Sequence, residues 1–508
     1  MTERRDVVVV GAGHNGLVAA CYLARAGLDV EVVERDTVIG GAVSTVERWP
    51  GIHVDRGSTM HVMIRHTNIV EELQLQQVGL DYLDIDPWAV SIVDGAAIRF
   101  AHDVDATCAS IASVCGEHDA DAYAEFVRTW SPRVDAMLRA FHEPPTAPRL
   151  LRAFWPLGRH VTSGGGELAR GFLQSADMLL DASFQDERLR TALAWWAAQA
   201  GPPPHEVGTA PLAATALLMH RRKPGRPRGG SGALSQALAR RLQADGGVVT
   251  TGDAAVRVSR NSVHTAGGRQ LNARAVLCAT HIVTTLQLLD DEALAAATLP
   301  RLRVGTGMGM VLRVLTDRLP AYDVQVPEMH VGMQLLAQSR RQLREAHGAF
   351  LAGASPNDPP LLVMTPTGTD DSLAPPGQHV VTIWTQWHPR CLAGSTWAAE
   401  RDRETEKLVR ALDRLAPRFA DSVVATHLQT PEDLDRELGL HAGNVMHLDM
   451  TLDAMFALRP LPEWSAHRGP HGVFLCGAST HPGGGVSGAS GRSAARLIVR
   501  RLQSRWQR

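Results

Sequence analysis

Aromatic residues are scarce: Phe, Trp and Tyr together make up 5% of the 508 residues, and only 4 are Tyr. Binding of single-stranded nucleic acid draws on rings in series for base stacking, so that role is disfavoured. A surplus of either charge is also lacking. The formal net charge is −2, and no global field gathers nucleic acid or an anionic membrane. No apolar run reaches the roughly 20 residues of a membrane-spanning helix, although peripheral membrane contact stays open. Cysteine is sparse and unpatterned. The 6 cysteines, Cys21, Cys108, Cys115, Cys278, Cys391 and Cys476, form no C-x-x-C and no Cys/His set with zinc spacing, which argues against a metal centre or a dithiol motif. Reduced thiols in a cytoplasmic protein fit best. Arg4-Arg5 ahead of an apolar stretch imitate a secretion signal, but Asp6, the glycines, His14 and Asn15 interrupt it.

What the chain does have is a glycine pattern at each end. Residues 6–10 (DVVVV) read as a strand, followed by Gly11-Ala12-Gly13-His14-Asn15-Gly16. Residues 17–26 read as a helix ended by Gly27, and residues 29–33 as a second strand closed by Glu34. Gly11 allows the tight turn, Gly13 lets a pyrophosphate approach the backbone, and Gly16 lets helix and strand pack closely. The helix's first N–H groups and its dipole hold the anion. Glu34 can accept from both hydroxyls of an adenosine ribose. A lone G-x-G-x-x-G is weak evidence; strand, glycines, helix, strand and terminal acid in one register are strong. Arg35, then Gly40, Gly41 and Ala42, follow at a spacing that points to FAD, with a second backbone turn along the pyrophosphate.

The run VVVVGAGHNGLVAACYLARAGLDVEVVERDTVIGGAVST resembles the phytoene desaturase-like flavoproteins of the amine oxidase superfamily. Its Gly-His-Asn-Gly form points to the branch holding the pyridine nucleotide-disulfide oxidoreductase domain-containing proteins and the desaturase-type carotenoid ketolases. The C-terminal run FLCGASTHPGGGVSGASGRSAA resembles the same branch. The resemblance implies FAD as cofactor and an α/β fold in two parts. One is a discontinuous Rossmann-like FAD-binding domain, expected over 1–75, 225–300 and 441–508. The other is an α+β substrate domain with an antiparallel sheet and a helical insertion, expected over 76–224 and 301–440. At 508 residues the length alone favours two domains.

Along the chain, Gly57 and Ser58 match the family's D-x-G-S segment, which implies close approach to the flavin ring. Residues 76–225 are rich in Ala, Leu and Arg, with helical spacing over 119–140 and 189–200 and Pro/Gly breaks at 144–145, 163–166 and 201–204. The basic run 221–228 reads first as a solvated loop, with an anionic substrate group, a lipid headgroup or a partner's acidic patch as alternatives. A helix over 233–244 follows, then strands at 247–252 and 255–258, a hairpin at 266–269 and a strand at 272–280. The resemblance makes Val256 a backbone contact to adenine. Strands near 309–315, 361–365 and 379–387 and a helix over 396–415 would build the sheet roofing the flavin. Met308, Met310, Met329 and Met333 read as core packing, while Trp384 and Trp387 divide evenly between packing and lining the cavity. Thr430 caps a helix starting at Pro431. Gly443-Asn444-Val445-Met446-His447 resembles the family's G-N-x-x-H, and Arg459-Pro460 has a counterpart there too.

At the tail, residues 473–476 form a last strand, followed by Gly477 and Ala478, then Gly484, Gly485, Val486 and Gly488, then a helix over 489–501. These glycines would reach the ribityl chain and pyrimidine edge of the flavin, with a helix N-terminus favouring negative charge on the reduced ring. Ala478 stands where many flavoproteins have an acid, so ribityl contact there falls to backbone or water. A flavin needs no protein nucleophile. His61 and His481 are the polar residues expected nearest the ring, as proton carriers or as structural histidines. The resemblance implies an FAD-dependent dehydrogenase, desaturase or oxidase acting on an apolar, terpenoid- or polyketide-like small molecule. A carotenoid-type ketolase, a flavin-dependent isomerase and a flavin-bearing scaffold without turnover are the alternatives. No second nucleotide motif is visible, so reoxidation calls for oxygen, a quinone or another carrier. Oligomeric state is not set by the sequence.

Overall fold

In the computed structural model, residues 2–158, 165–324 and 326–503 are described; the Ser163-Gly164 part of one expected break lies outside them. The first strand, Thr2–Val10, forms the centre of a 7-stranded sheet. Val30–Val33 lies parallel on one side of it and Gln270–Cys278 parallel on the other. Val248–Thr250 adds the edge beyond Val30–Val33, and Phe474–Leu475 pairs in parallel with Gln270–Cys278. A sheet covered on both faces requires apolar residues in succession rather than in alternation. Val7, Val8, Val9 and Val10 are accordingly all within 3% of complete burial. Burying each contributes about 1.5–2 kcal/mol.

The helix His14–Arg25 packs on this sheet against the final helix, Ala489–Gln503, so the two ends of the chain meet. Glycine makes the approach possible. A Cβ on Gly16 would overlap Gly11 O, and one on Gly491 would overlap Asn15 O. Gly491 N also donates to Asn15 Oδ1 at 3.4 Å.

A second 7-stranded sheet takes Gly307–Thr316, His379–Pro389, Val423–Gln429, Leu361–Met364 and Met333–Leu336, antiparallel to their neighbours in that group. It also takes Ala89–Val93 and Ala96–Phe100. The region 76–225 is therefore not purely helical. Asp94 and Gly95 both have positive φ, 50° and 69°, and Asp-Gly in that geometry closes a tight hairpin whose twist matches its strands. The two helices expected from spacing form as Glu117–His142 and Glu187–Ala198. They pack Tyr123, Phe126, Trp130, Leu193 and Trp195 against Leu335 and Leu362 of the second sheet.

The basic run is neither a free loop nor an open anion site. Its core, Gly225–Pro227, is a strand paired with Tyr82–Asp84. Arg221, Arg222, Lys223 and Arg228 pair with Asp135, Glu71, Asp86 and Asp81 at 2.7, 3.0, 3.1 and 3.0 Å. Arg226 is fully buried and donates to Thr369 Oγ1 at 2.7 Å.

Candidate cofactor site

The strand Thr2–Val10 ends at Gly11, whose φ of +100° turns the chain into the first helix. Opposite, Gly40 N donates to Ala12 O at 2.8 Å, and Gly13 and Gly40 form an isolated parallel bridge. A Cβ on Gly13 would meet nothing within 4 Å, and one on Gly41 would find only Gly13 Cα, at 3.8 Å. The two glycine turns thus face each other across open space, beside the N-terminus of the helix. This cradle fits a pyrophosphate. Glu34 is held at its mouth, its carboxylate accepting from Ala12 N at 2.7 Å and Asp36 N at 2.9 Å. Each oxygen keeps a further lone pair for a ribose hydroxyl. Arg35 is exposed and reaches Glu437 O, at 3.4 Å, near the end of the helix Pro431–Leu438.

Gly57 and Ser58 come to the same place. Ser58 N donates to Ala42 O at 2.8 Å, and a Cβ on Gly57 would sit 2.6 Å from that oxygen. Gly57 is required by close packing on Ala42. From the tail, Gly477, Gly485 and Gly488 adopt positive φ of 104°, 86° and 72°. Gly477 N donates to Ser490 Oγ at 2.9 Å, fixing the turn to the last helix. Gly484 is tight against Met446, and a Cβ on Gly485 would meet Met63 at 3.3 Å. Val486 and Ala478 are each 8% exposed. Thus 11–16, 40–42, 57–58 and 477–488 converge. Val256 is 54% exposed on the strand Ala255–Val258, three residues beyond Asp253, whose N donates to Glu34 O at 3.0 Å.

The two histidines singled out from sequence are both deeply buried. His61 is fully enclosed, with Tyr82 Oη 2.7 Å from Nδ1 and Ser231 Oγ 2.8 Å from Nε2. Burial pushes its pKa down to about 3. Both nitrogens are occupied, so its geometry is that of a structural histidine. His481 is 2% exposed; its Nε2 bonds Ala140 O at 2.9 Å and its Nδ1 has no partner. Burial lowers its pKa to about 3 as well. Neither ring is poised to ionise near neutral pH.

Two residues near the cleft carry more than the sequence reading gave them. His14, inside a motif read for its backbone, is only partly buried. Arg459 is fully buried and donates to the carbonyls of Ala478, Asp449, Ala454, Met446 and Leu448, between 2.6 and 3.2 Å. Burial lowers its pKa to about 9. It ties the 446–454 loop to the tail strand's exit. The Arg-Pro motif marked the position, but the carbonyl set exists only in the fold. Met308, Met310, Met329 and Met333 are core residues, as is Trp387, which is 2% exposed. Trp384 is half-buried.

A double glycine cradle on a parallel sheet, completed by the far end of the chain, defines an FAD-binding oxidoreductase. The chain belongs to the flavin containing amine oxidoreductase family, whose model matches residues 16–499. It is 32% identical to mouse (Mus musculus) pyridine nucleotide-disulfide oxidoreductase domain-containing protein 2, over 98% of this chain and 94% of that protein. It is 28% identical to phytoene dehydrogenase of Streptomyces griseus, over 97% and 95%. Its fold is similar to that of cyclohexylamine oxidase from Brevibacterium oxydans IH-35A, with a TM-score of 0.59 and 19% identity over 98% of this chain and 99% of that one. The protein is an FAD-dependent oxidoreductase. Among the described residues no group of His, Cys, Asp and Glu could hold a metal ion, and no helix is long and apolar enough to cross a membrane.

Proposed function

We propose that the protein oxidises a largely apolar small molecule, terpenoid- or polyketide-like, by taking a hydride from carbon. The reading rests on an apolar, partly buried wall that reaches the tail at Met63, which a Cβ on Gly485 would meet at 3.3 Å. Met60, Val62, Met63, Trp196 and Trp384 are partly buried and pack on one apolar cluster. FAD, when bound, supplies the two-electron acceptor. The chain's own part is to orient an apolar skeleton by shape, keep water out and hold its histidines neutral. Oxygen or a quinone would take the electrons onward. Reduced thiols support a cytoplasmic setting, all six cysteines being free. Peripheral contact with a membrane belongs to the same reading. Leu151 and Trp155, one turn apart on the helix Ala147–Gly158, are 63% and 60% exposed.

The test is anaerobic titration of the FAD-loaded protein with a panel of polyenes, terpenoids and polyketides beside a panel of small amines. Bleaching of the flavin with loss of two hydrogens from an apolar member is expected. Bleaching by amines alone would overturn the substrate class. An isomeric product, or one that has gained oxygen, would overturn the reaction type.

A further inference from the structure

His14 and His447 come from opposite ends of the chain to border the glycine cradle, and both are only partly buried. His14 opens the first helix, next to Gly13. His447 follows Met446, which packs on Gly484 of the tail. Each ring is fixed by one hydrogen bond. Asn15 Oδ1 accepts from Gly491 N, which turns Asn15 Nδ2 toward His14 Nε2, at 3.0 Å. Nδ2 is a donor, so His14 Nε2 accepts and its proton sits on Nδ1. For His447, Ser479 Oγ accepts from Ile282 N at 3.0 Å and lies 2.9 Å from Nδ1. Ser479 is 2% exposed, and Nδ1 is the acceptor within reach of its hydroxyl proton. His447 Nδ1 therefore accepts and its proton sits on Nε2.

The backbone is shaped to present this second ring. Asn444 Oδ1 accepts from Met446 N at 2.9 Å, while Asn444 Nδ2 donates to Val304 O and Asp449 Oδ1. The turn leaves His447 at φ +66°, a left-handed conformation costing a non-glycine residue about 1–2 kcal/mol. His281 holds it there. Its Nδ1 accepts from Val283 N, so its Nε2 donates to His447 O at 2.9 Å. Its ring also stacks on that of His447, with centroids 4.6 Å apart. Strain kept in place by this many partners is characteristic of functional sites.

We infer that His14 and His447 are a pair of neutral imidazole donors, offering Nδ1–H and Nε2–H respectively to oxygen atoms of bound FAD, with His281 and Ser479 as positioning residues. The inference rests on the FAD reading above. Desolvation by the surrounding protein keeps both partly buried rings from ionising: the pKa of His14 falls to about 4 and that of His447 well below 6.5. His14 also lies near enough to His447 to oppose its protonation. A neutral donor can hold an acceptor oxygen without adding charge beside the flavin.

The test is fluorescence titration of flavin-free protein with FAD, comparing wild type with H447L, H447Q, H14L and H14N. Melting of each flavin-free variant checks its fold. The glutamine amide can place a donor near the Nε2 position, and the asparagine amide near Nδ1. H447L and H14L are expected to weaken FAD binding about tenfold each, the loss of one hydrogen bond to a charged or strongly polar acceptor. H447Q and H14N are expected to recover most of it. In 15N-histidine-labelled wild type, the two rings should show opposite tautomers and shift on FAD addition. Leucine variants that fold and bind FAD as wild type does, or ring signals unmoved by FAD, would overturn the inference. Wild type that binds no FAD would instead overturn the cofactor reading beneath it.

Discussion

Replacing Arg459 by Met removes donors from five buried carbonyls, those of Ala478, Asp449, Ala454, Met446 and Leu448. At about 1 kcal/mol each this is about 5 kcal/mol. Burying a cation has its own cost, which lowers the guanidinium pKa to about 9, and methionine recovers part of it. The expected net loss is about 2–4 kcal/mol. Lysine would keep the charge but offers three donors from one point and cannot span the set. The effect should be local in origin, because the carbonyls belong to the 446–454 loop and the tail turn. FAD should therefore leave faster as well. The assay is urea denaturation of flavin-free protein, with release of FAD from loaded protein followed by fluorescence. An R459M protein within about 0.5 kcal/mol of wild type, releasing FAD at the wild-type rate, would refute the assignment of Arg459 as the tie between loop and tail.

Gly491→Ala is expected to force the final helix off the first, because its Cβ would overlap Asn15 O; a cost of about 1–3 kcal/mol in the denaturation midpoint and weaker FAD binding are expected, and an unchanged midpoint would show that the helices meet less closely. His61→Phe strands Tyr82 Oη and Ser231 Oγ and should cost about 2–3 kcal/mol. Flavin reduction by substrate should be unaffected in whatever folds; a loss of rate without a loss of stability would make His61 a catalytic residue. Acid should destabilise the protein from pH 6.5 downward. His61 and His388 are fully buried with pKa values lowered from 6.5 to about 3, so the unfolded chain gains protons that the folded one does not. Their contribution is intact above pH 6.5 and is lost at about 1.4 kcal/mol per pH unit for each as pH falls toward 3. Denaturation midpoints at a series of pH values check this, and a flat profile from pH 7 to 5 would contradict it.

Much of the cofactor-binding half was legible because its chemistry is local. A run of valines, three glycines and a terminal acid state a strand, a turn, a helix and a second strand within a few dozen residues. Thr430 with Pro431 likewise announced a capped helix, and the structure adds the reciprocal bond that Thr430 N donates to Asp433 Oδ2. The Asp94-Gly95 hairpin was just as local but was masked by the Ala- and Leu-rich composition around it. What the sequence could not state is pairing over distance. The partners of the basic run come from Glu71, Asp81, Asp86 and Asp135, and nothing near 221–228 predicts them. The same holds for His61, whose nitrogens are occupied by Tyr82 and Ser231, and for the carbonyls that Arg459 gathers. Val256 is the converse: its role follows from resemblance, while the bond that brings its strand to the Glu34 turn, Asp253 N to Glu34 O, appears only in the fold.

A structure of the FAD-loaded protein tests the central claim most directly. The account predicts one FAD per chain, its phosphates between Gly13 and Gly41 and its ring beside Gly484, Gly485 and Val486. A flavin bound elsewhere, or touching one end of the chain only, would contradict it.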